Sequence, residues 1–495
     1  MALTVYACVI GVRGPSLSTA TFSYADAPEG AYLGSALLSS PTRLPLHTEL
    51  VAGLFEAGLL RAPAAHLLIE LLGPLFSVTA VALAGIAVRR LGGAWFLTVA
   101  VGLAFGPIAL WSTLFPTAHG YTLLCLALLA LSAVSMSRQR LLTWHALVVG
   151  VLCGAAVLSD QGFVAEGLAP LLVVVAMCRI RGDKRITRIA AQLFAVTAAT
   201  IGVGAMLLAL SGVHIVFSAT PGASASNTTG SSVSTIVHTF SAMAAGSWYG
   251  ADPAPPLGLL TSVAGLAIPF SAPTALLVNI RRSPGDVGRI AYLLFWASTD
   301  ILILGLYVVL KYGGAPIEGH YLIPCLLSAI ATFPLLVTPR LRTMAAILAA
   351  AVVAVQAGGV LIVPVSAFSG GDAREDARVL TVIRAEGLTR GYAGYWMSHH
   401  LTWLSDETVH VYPVQQRQCE DGIRVCPYEY SGDKWYEPVA GPTFLLLSSS
   451  DPCVVKAPTS LGRPIRTVAI DPQITLVVYD HDIARSFAHT PTYLC

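Results

Sequence analysis

The sequence predicts an α-helical polytopic membrane protein, with about 10–11 transmembrane helices and a C-terminal extracytoplasmic α/β domain. Three observations support that class. Of 495 residues, 55% are hydrophobic and 11% charged, and the mean hydropathy is +0.70, whereas a soluble protein carries roughly 25% charged residues. Many apolar runs reach the ~20 residues a helix needs to cross a hydrocarbon core. Near residue 366 the composition changes, and charge and strand-like alternation replace those runs. The net charge of +2 and the lack of any basic block give no reason to expect a nucleic-acid partner.

The first apolar stretch, "ALTVYACVIGV" at 2–12, covers only about 16 Å as a helix. It reads as the outer half of a first span whose beginning is absent from this chain. The alternative is a signal-peptide core, though no basic residues precede it. A first outward loop of about 14–66 follows. Apolar spans are then read near 67–88, 92–112, 121–137, 143–158, 163–178, 189–210, 257–278, 290–310, 321–337 and 343–364. With no water in the bilayer to satisfy the backbone, each has to be a helix.

Basic residues set the orientation, because short cytoplasmic loops collect them. Arg89, Arg90, Arg138, Arg140, Arg179, Arg181, Lys184, Arg185, Arg188, Arg281, Arg282, Arg289, Arg340 and Arg342 occupy every second loop, while up to residue 365 the intervening loops hold Arg13, Arg43, Arg61 and Lys311. The first group is therefore expected in the cytoplasm. The "SYADAPEGAYLG" segment (23–34), the "SDQG" turn (159–162), the loop 211–256, the "KYGGAPIEGHY" loop and everything beyond 365 then face outward. Two domains result, 1–365 in the membrane and 366–495 outside it.

The tail opens with a charged helix-like stretch, "GDAREDARVLTVIRAEGLTRG", whose apolar residues group on one side before Gly387 and Gly391. Alternating segments follow, "TVHVYPV", "TFLLLSSS", "IRTVAI" and "ITLVVYD", and these read as strands. Five cysteines sit in or beside apolar spans, and the other four, Cys419, Cys426, Cys453 and Cys495, are in the tail. An even set in an exported domain reads as two disulfides. The pairing chosen is Cys419–Cys426 with Cys453–Cys495, because the first closes a short loop; a zinc site is the rival and lacks the usual spacing.

No P-loop, dinucleotide fingerprint or HExxH motif is present, so no cofactor is expected, and a divalent cation finds no support. Candidate chemistry lies in polar groups near the outer face. Asp26 and Glu29 are either ordinary solvated carboxylates or, tethered beside the headgroups, a general base toward an acceptor hydroxyl. The segments "PTRLPLHTEL" (41–50) and "GLFEAGLLRAP" (53–63) look like short interfacial helices, whose Arg43, His47 and Arg61 could bind a lipid-linked phosphate. Asp160 reads as an N-cap that can also serve a polar site, with Glu166 inside the same helix and near enough to the surface to be wet. Asp300 falls within an apolar span, where a lone charge costs ~2.5 kcal/mol or more; it is a buried hydrogen-bonded acid or a proton relay. Lys311, Glu318, His320 and Tyr321 lead into the next helix. There Tyr321 reads as an interface anchor, and Lys311 with His320 as an alternative phosphate pair. The loop 211–256 looks mobile, closing on Trp248, Tyr249 and Asp252 as a lid. His399 and His400 read as partly exposed surface.

With those residues in view, the chain resembles the polytopic glycosyltransferases of the GT-C fold, especially bacterial relatives of the protein mannosyltransferases and the lipid A aminoarabinose transferases. The likeness lies in the acidic first outward loop with interfacial helices, in "LSDQGF", similar to an "SDP" turn, and in "EGHYLIP", similar to an "RYLLP" element. The tail, with "GLTRGYAGYWMSHHLTWLSDETVHVYPV" and "DKWYEPVAGPTFLLL", looks like the extracytoplasmic domain of that group. The resemblance implies sugar transfer from a polyprenyl-phosphate donor to an envelope glycan, lipid or protein acceptor, outside the inner membrane. It implies Asp26 as the catalytic acid of the first loop, with Glu29 as the alternative. Asp160 would order the site, and Arg43, Arg61, Lys311, His320 and Tyr321 would hold the donor phosphate. The acids are separated by "AP", and His320 stands where a basic residue is usual. A non-catalytic GT-C-like membrane protein is therefore one alternative, and a proton-coupled transporter or flippase built around Asp300 is another.

Overall fold

The computed structural model describes residues 26–39, 42–45, 50–60, 65–104, 117–137, 143–182, 184–216, 229–245, 257–310, 321–347, 350, 371–419, 422–428, 431–449, 454 and 456–487. Two short helices come first, α1 (Asp26–Ser39) and α2 (Leu50–Leu59), with strand β1 (Thr42–Pro45) between them. The helical body follows: α3 (Ala65–Arg90), α4 (Trp95–Ala104), α5 (Thr117–Ser137), α6 (Thr143–Ser159), α7 (Ala169–Ile180) and α8 (Lys184–Leu210). After strand β2 (His214–Val216) it continues with α9 (Thr229–Ala245), α10 (Leu257–Arg282), α11 (Val287–Val309) and α12 (Ile323–Leu336).

These helices bury one continuous core. Ala84, Leu126, Leu129, Ala133, Phe163, Leu171, Tyr292, Phe295, Trp296, Leu326 and Ala331 are all closed off from the surface. The outward faces are apolar as well: Val203, Met206, Leu207 and Leu210 on α8, Phe270 and Leu277 on α10, and Ile301 and Val309 on α11 are exposed. Extensive exposed apolar surface of this kind marks contact with a lipid or protein partner. Among the described residues, Ile186–Leu210 and Val287–Val309 are long and apolar enough to cross a membrane. A third span results if Ile323–Leu336 and Pro339–Ile347, bent by 106°, count as one. That is fewer than the ten runs marked in the sequence; α4, for example, covers 10 residues of the run at 92–112.

The tail is a separate layer. Helix α13 (Gly371–Ala385), β3 (Arg390–Ala393) and α14 (Tyr395–Leu404) lead into β4 (His410–Cys419), β5 (Gly422–Pro427), β6 (Ser431–Gly432), β7 (Thr443–Ser448), β8 (Arg466–Ala469) and β9 (Ile474–Tyr479). Six of these strands form one mixed sheet in the order β5-β4-β3-β7-β9-β8. Strand β3 runs parallel to β4 and β7, and the remaining neighbours are antiparallel. Side chains alternate across a strand, so each face gets its own core. Phe444, Leu446, Leu476 and Val478 pack on Val379, Leu380 and Ile383 of α13 and Leu401 of α14. Leu445, Val477 and Tyr479 face the other way, toward Leu461, Ile483 and Phe487. Gly387, at a φ of 67°, supplies the left-handed turn after α13; Gly391 lies within β3 instead of ending the helix.

Several contacts among the described residues join tail and helical body. Strands β2, β1 and β6 make a small sheet, with Arg43 paired to His214 on one side and Ser431 on the other. Ala31 and Ile69 pack on Trp403 of α14, and Leu33 packs on Tyr395. Gly432 lies so close to α1 that a Cβ there would stand 2.7 Å from Ala36 Cβ. Helices α1 and α2 cross even more tightly, a Cβ on Gly34 falling 2.1 Å from the carbonyl oxygen of Gly53. Small residues are what let helix backbones approach in this way.

Several expectations change here. Within the segment 41–50, Thr42–Pro45 form β1 and not an interfacial helix, held by partners distant in sequence; residues 46–49 lie outside the described residues. The loop 211–256 contains β2 and the 17-residue α9. The Cys419–Cys426 disulfide does not form. The β4–β5 register sets Cys419 against Gly422 and Cys426 against Gln415, and Cys426 is a buried thiol. Cys453 and Cys495 lie outside the described residues, as do the stretch 2–12, His47, Arg61, Trp248, Tyr249, Asp252, Lys311, Glu318 and His320.

Candidate active site

The "SDQG" turn is built by its own aspartate. Helix α6 ends at Ser159, and Asp160 Oδ1 accepts a hydrogen bond from the Gly162 amide at 2.8 Å. That is the local side-chain turn expected of Asp before a helix. Its second oxygen, Oδ2, receives the Thr122 hydroxyl of α5 at 3.4 Å. The chain then enters a π-helical turn, Val164–Leu168. Such a turn holds one residue more than an α-turn and is common at functional sites. Here it swings Glu166 back toward Asp160. A Cβ on Gly162 would lie 3.0 Å from Asp160 Oδ1 and 3.4 Å from Glu166 Oε1, so the two carboxyl groups converge over this glycine. Thr299 of α11 donates to the Glu166 carbonyl at 2.9 Å and fixes the turn. Glu166 is less wet than its position near the helix start suggests: Oε2 is buried and has no hydrogen-bond partner among the described residues.

Asp300, next to Thr299, is fully buried. Its Oδ2 accepts the Ser328 hydroxyl of α12 at 2.9 Å, while Oδ1 has no partner among the described residues. Of the options open in the sequence, the hydrogen-bonded buried acid is the one this packing displays. Asp160 and Glu166 thus sit at one end of the helical body, with Asp300 behind them. The outer pair can hold or pass a proton next to a bound group. Among the described residues, no group of three or more His, Cys, Asp or Glu is arranged to take a metal ion.

The other candidates are placed as follows. Asp26 is the first residue of α1 and Glu29 lies in its first turn. Arg43 is central in the β2-β1-β6 sheet. Tyr321 is half-buried against the helical core ahead of α12. Helix α2 packs on both α5 and α6, the helices that bring Thr122 and Asp160 together.

The sequence reading missed the residues between these helices and the tail. His399 and His400 are buried, not exposed. His400 Nδ1 bonds Asp376 Oδ2 at 2.6 Å. His399 lines a cavity of about 680 Å³ together with Tyr32, Trp435, Tyr412 and Glu407. Burial pushes the His399 imidazole down to about 3, and it pushes the Tyr32 hydroxyl up, with the Glu407 carboxylate adding to the effect. Both are therefore neutral near pH 7. A polar, aromatic "YWMSHHLTW" segment looks like surface unless its partners are known.

No family model matches the chain, and no curated protein matches it. Among solved structures, the chain is similar to the crystal structure of ArnT from Cupriavidus metallidurans bound to undecaprenyl phosphate. The TM-score is 0.55 at 12% identity, with 99% of this chain and 98% of that chain covered. That likeness is one of fold.

Proposed function

We propose that this chain is a membrane glycosyltransferase. It transfers a sugar from a polyprenyl-phosphate donor to an envelope acceptor on the outer face of the cytoplasmic membrane. The observation that carries this reading is the end-to-end likeness to ArnT, which includes the helical body and the tail sheet together. The solved relative holds undecaprenyl phosphate, so a lipid of that class is the donor carrier expected here. The exposed apolar faces of α8, α10 and α11 support a membrane location. The alternation of basic residues supports an outward position for residues 366–495.

In the reaction, the bond between the sugar's anomeric carbon and the phosphate oxygen breaks, and polyprenyl phosphate leaves with the electron pair. The acceptor hydroxyl forms the new bond to that carbon. Asp26, or Glu29 one turn on, takes the hydroxyl proton as general base. Arg43, Arg61, Lys311, His320 and Tyr321 compensate the charge on the leaving phosphate. Asp160 orders the far wall of the site. The donor is already activated, so the scheme uses no nucleotide cofactor.

The test uses purified protein with a radiolabelled polyprenyl-phosphate sugar and a membrane extract from cells lacking the gene. Asp26→Asn is expected to lower transfer by at least a hundredfold while donor binding and expression persist. Wild-type transfer by Asp26→Asn and Glu29→Gln together would remove both acids from the mechanism. Proton-driven substrate movement in proteoliposomes that vanished in Asp300→Asn, without sugar transfer, would instead establish a carrier.

A further inference from the structure

The cavity between α1, α2 and the tail is lined by a row of aromatic rings contributed from both sides. Tyr32 on α1 stacks with His399 at 6.1 Å between ring centres. His399 meets the Trp435 edge at 5.6 Å. Trp435 stacks with Tyr412 at 5.8 Å, and Tyr412 with His410 at 6.3 Å. Five rings thus follow one another from the outer helices across to β4. At about 680 Å³ the space falls within the ~300–1,000 Å³ of small-molecule sites.

One polar atom in this wall is orphaned. His399 Nε2 is buried without a hydrogen-bond partner among the described residues, and His399 as a whole is only 6% exposed. The buried Tyr32 hydroxyl beside it has the Glu407 carboxylate as its polar neighbour. Leaving a buried polar atom unpaired is costly, so the wall is built for an occupant that hydrogen-bonds. An acyl chain would not satisfy it. An anion is no better suited to the described lining, since no Lys or Arg is among the described residues there. Arg390, near the Tyr412 ring, is engaged by the Trp435 and Glu437 carbonyls and by Asp482. Flat apolar rings with isolated donors and acceptors match an uncharged molecule that has apolar C–H faces and a hydroxyl-bearing rim.

We propose that this cavity is a saccharide-binding site: the aromatic row takes the C–H faces of sugar rings, and Tyr32 and His399 take ring hydroxyls. Glu407, in the lining beside Tyr32, accepts from a further hydroxyl. The site rests on the transferase reading only for the identity of its sugar as the acceptor; saccharide binding itself stands apart from it. A glycan or glycolipid acceptor held here lies on the same short helix whose first residue is Asp26.

The experiment uses the full chain in lipid nanodiscs and ligand-observed saturation-transfer NMR. The probes are methyl β-glucoside, N-acetylglucosamine, their β-1,4-linked disaccharides, and tetramethylammonium. A disaccharide is expected to bind more tightly than its monosaccharide. Trp435→Ala and His399→Phe should each weaken binding at least tenfold, and Trp435→Phe should recover most of it. Leu38→Trp, on a rim residue that is 69% exposed, should block the cavity without touching the core and covers the case in which a core variant fails to fold. The proposal is overturned if no saccharide gives a saturable signal, if tetramethylammonium binds in preference, or if Leu38→Trp and His399→Phe both bind like wild type. Asp26→Asn should bind saccharide normally. Intact binding with no transfer in any assay would therefore sink the transferase reading and leave this site in place.

Discussion

Gly34→Ala puts a methyl group into the tightest spot found at any described glycine. The new Cβ would stand 2.1 Å from the Gly53 carbonyl oxygen and 2.5 Å from its carbon, with Ala57 Cβ at 3.1 Å. Those first two atoms are backbone, so no side chain can swing away, and α1 must move from α2 by roughly 1 Å to reach ordinary contact. Overpacking of this kind costs about 1–3 kcal/mol. Alanine's better helix propensity returns ~1 kcal/mol, so the net loss falls between zero and about 2 kcal/mol. Gly58→Ala in α2 is the matched control, because nothing lies within 4 Å of a Cβ there; only the propensity gain remains. Two identical substitutions in one helix pair should therefore shift stability in opposite directions. Thermal unfolding of the detergent-solubilised protein, followed by tryptophan fluorescence, reads the difference. Equal shifts of the same sign would show that α1 and α2 do not cross at these glycines.

Three further outcomes follow from the same packing. His399 titrates near 3 when folded, against an ordinary 6.5, so the unfolded chain binds the extra proton between those values. Stability that is complete above pH 6.5 should then fall by ~1.4 kcal/mol per pH unit on acidification. His399→Phe should lose that part of the slope in denaturant titrations at pH 7 and pH 5, and an unchanged slope would refute the assignment. Ser328→Ala removes the donor to buried Asp300 and should cost about 1–3 kcal/mol by thermal unfolding. For orientation, a cysteine at Arg466, whose side chain is 62% exposed, should react with an impermeant maleimide in intact cells. A cysteine at Arg181 should react only after permeabilisation; the reverse pattern would invert the membrane assignment.

What the sequence made legible follows from the range of the forces. Apolar runs are local, and lipid forces each into a helix, so α3, α5, α8, α10 and α11 could be read directly. Alternation in "TFLLL" and "ITLVVY" likewise announces β7 and β9, because each strand divides its side chains between two cores. Strands β1 and β2 span 4 and 3 residues, too short to show a period, and their partners lie far along the chain. Asp160 could be recognised because its turn is self-contained. Glu166 was harder: its burial comes from α11, more than a hundred residues on. The cavity was invisible for the same reason, since Tyr32 and His399 meet only after the tail has docked. The cysteine pairing went astray because a short spacing says nothing about register, and in β4–β5 the register keeps those positions apart.

The small sheet that joins Thr42–Pro45, His214–Val216 and Ser431–Gly432 has a bearing on biogenesis. Pairings of such long sequence separation form late, and β1 carries a bare hydrogen-bonding edge until Ser431 has been synthesised. During synthesis the N-terminal arm would have to wait, open to stray strands, while nearly four hundred residues are threaded and inserted. A chain cut short ahead of β6 should thus leave the arm undocked even with every span in place, making the tail a check on completed assembly as well as a binding wall.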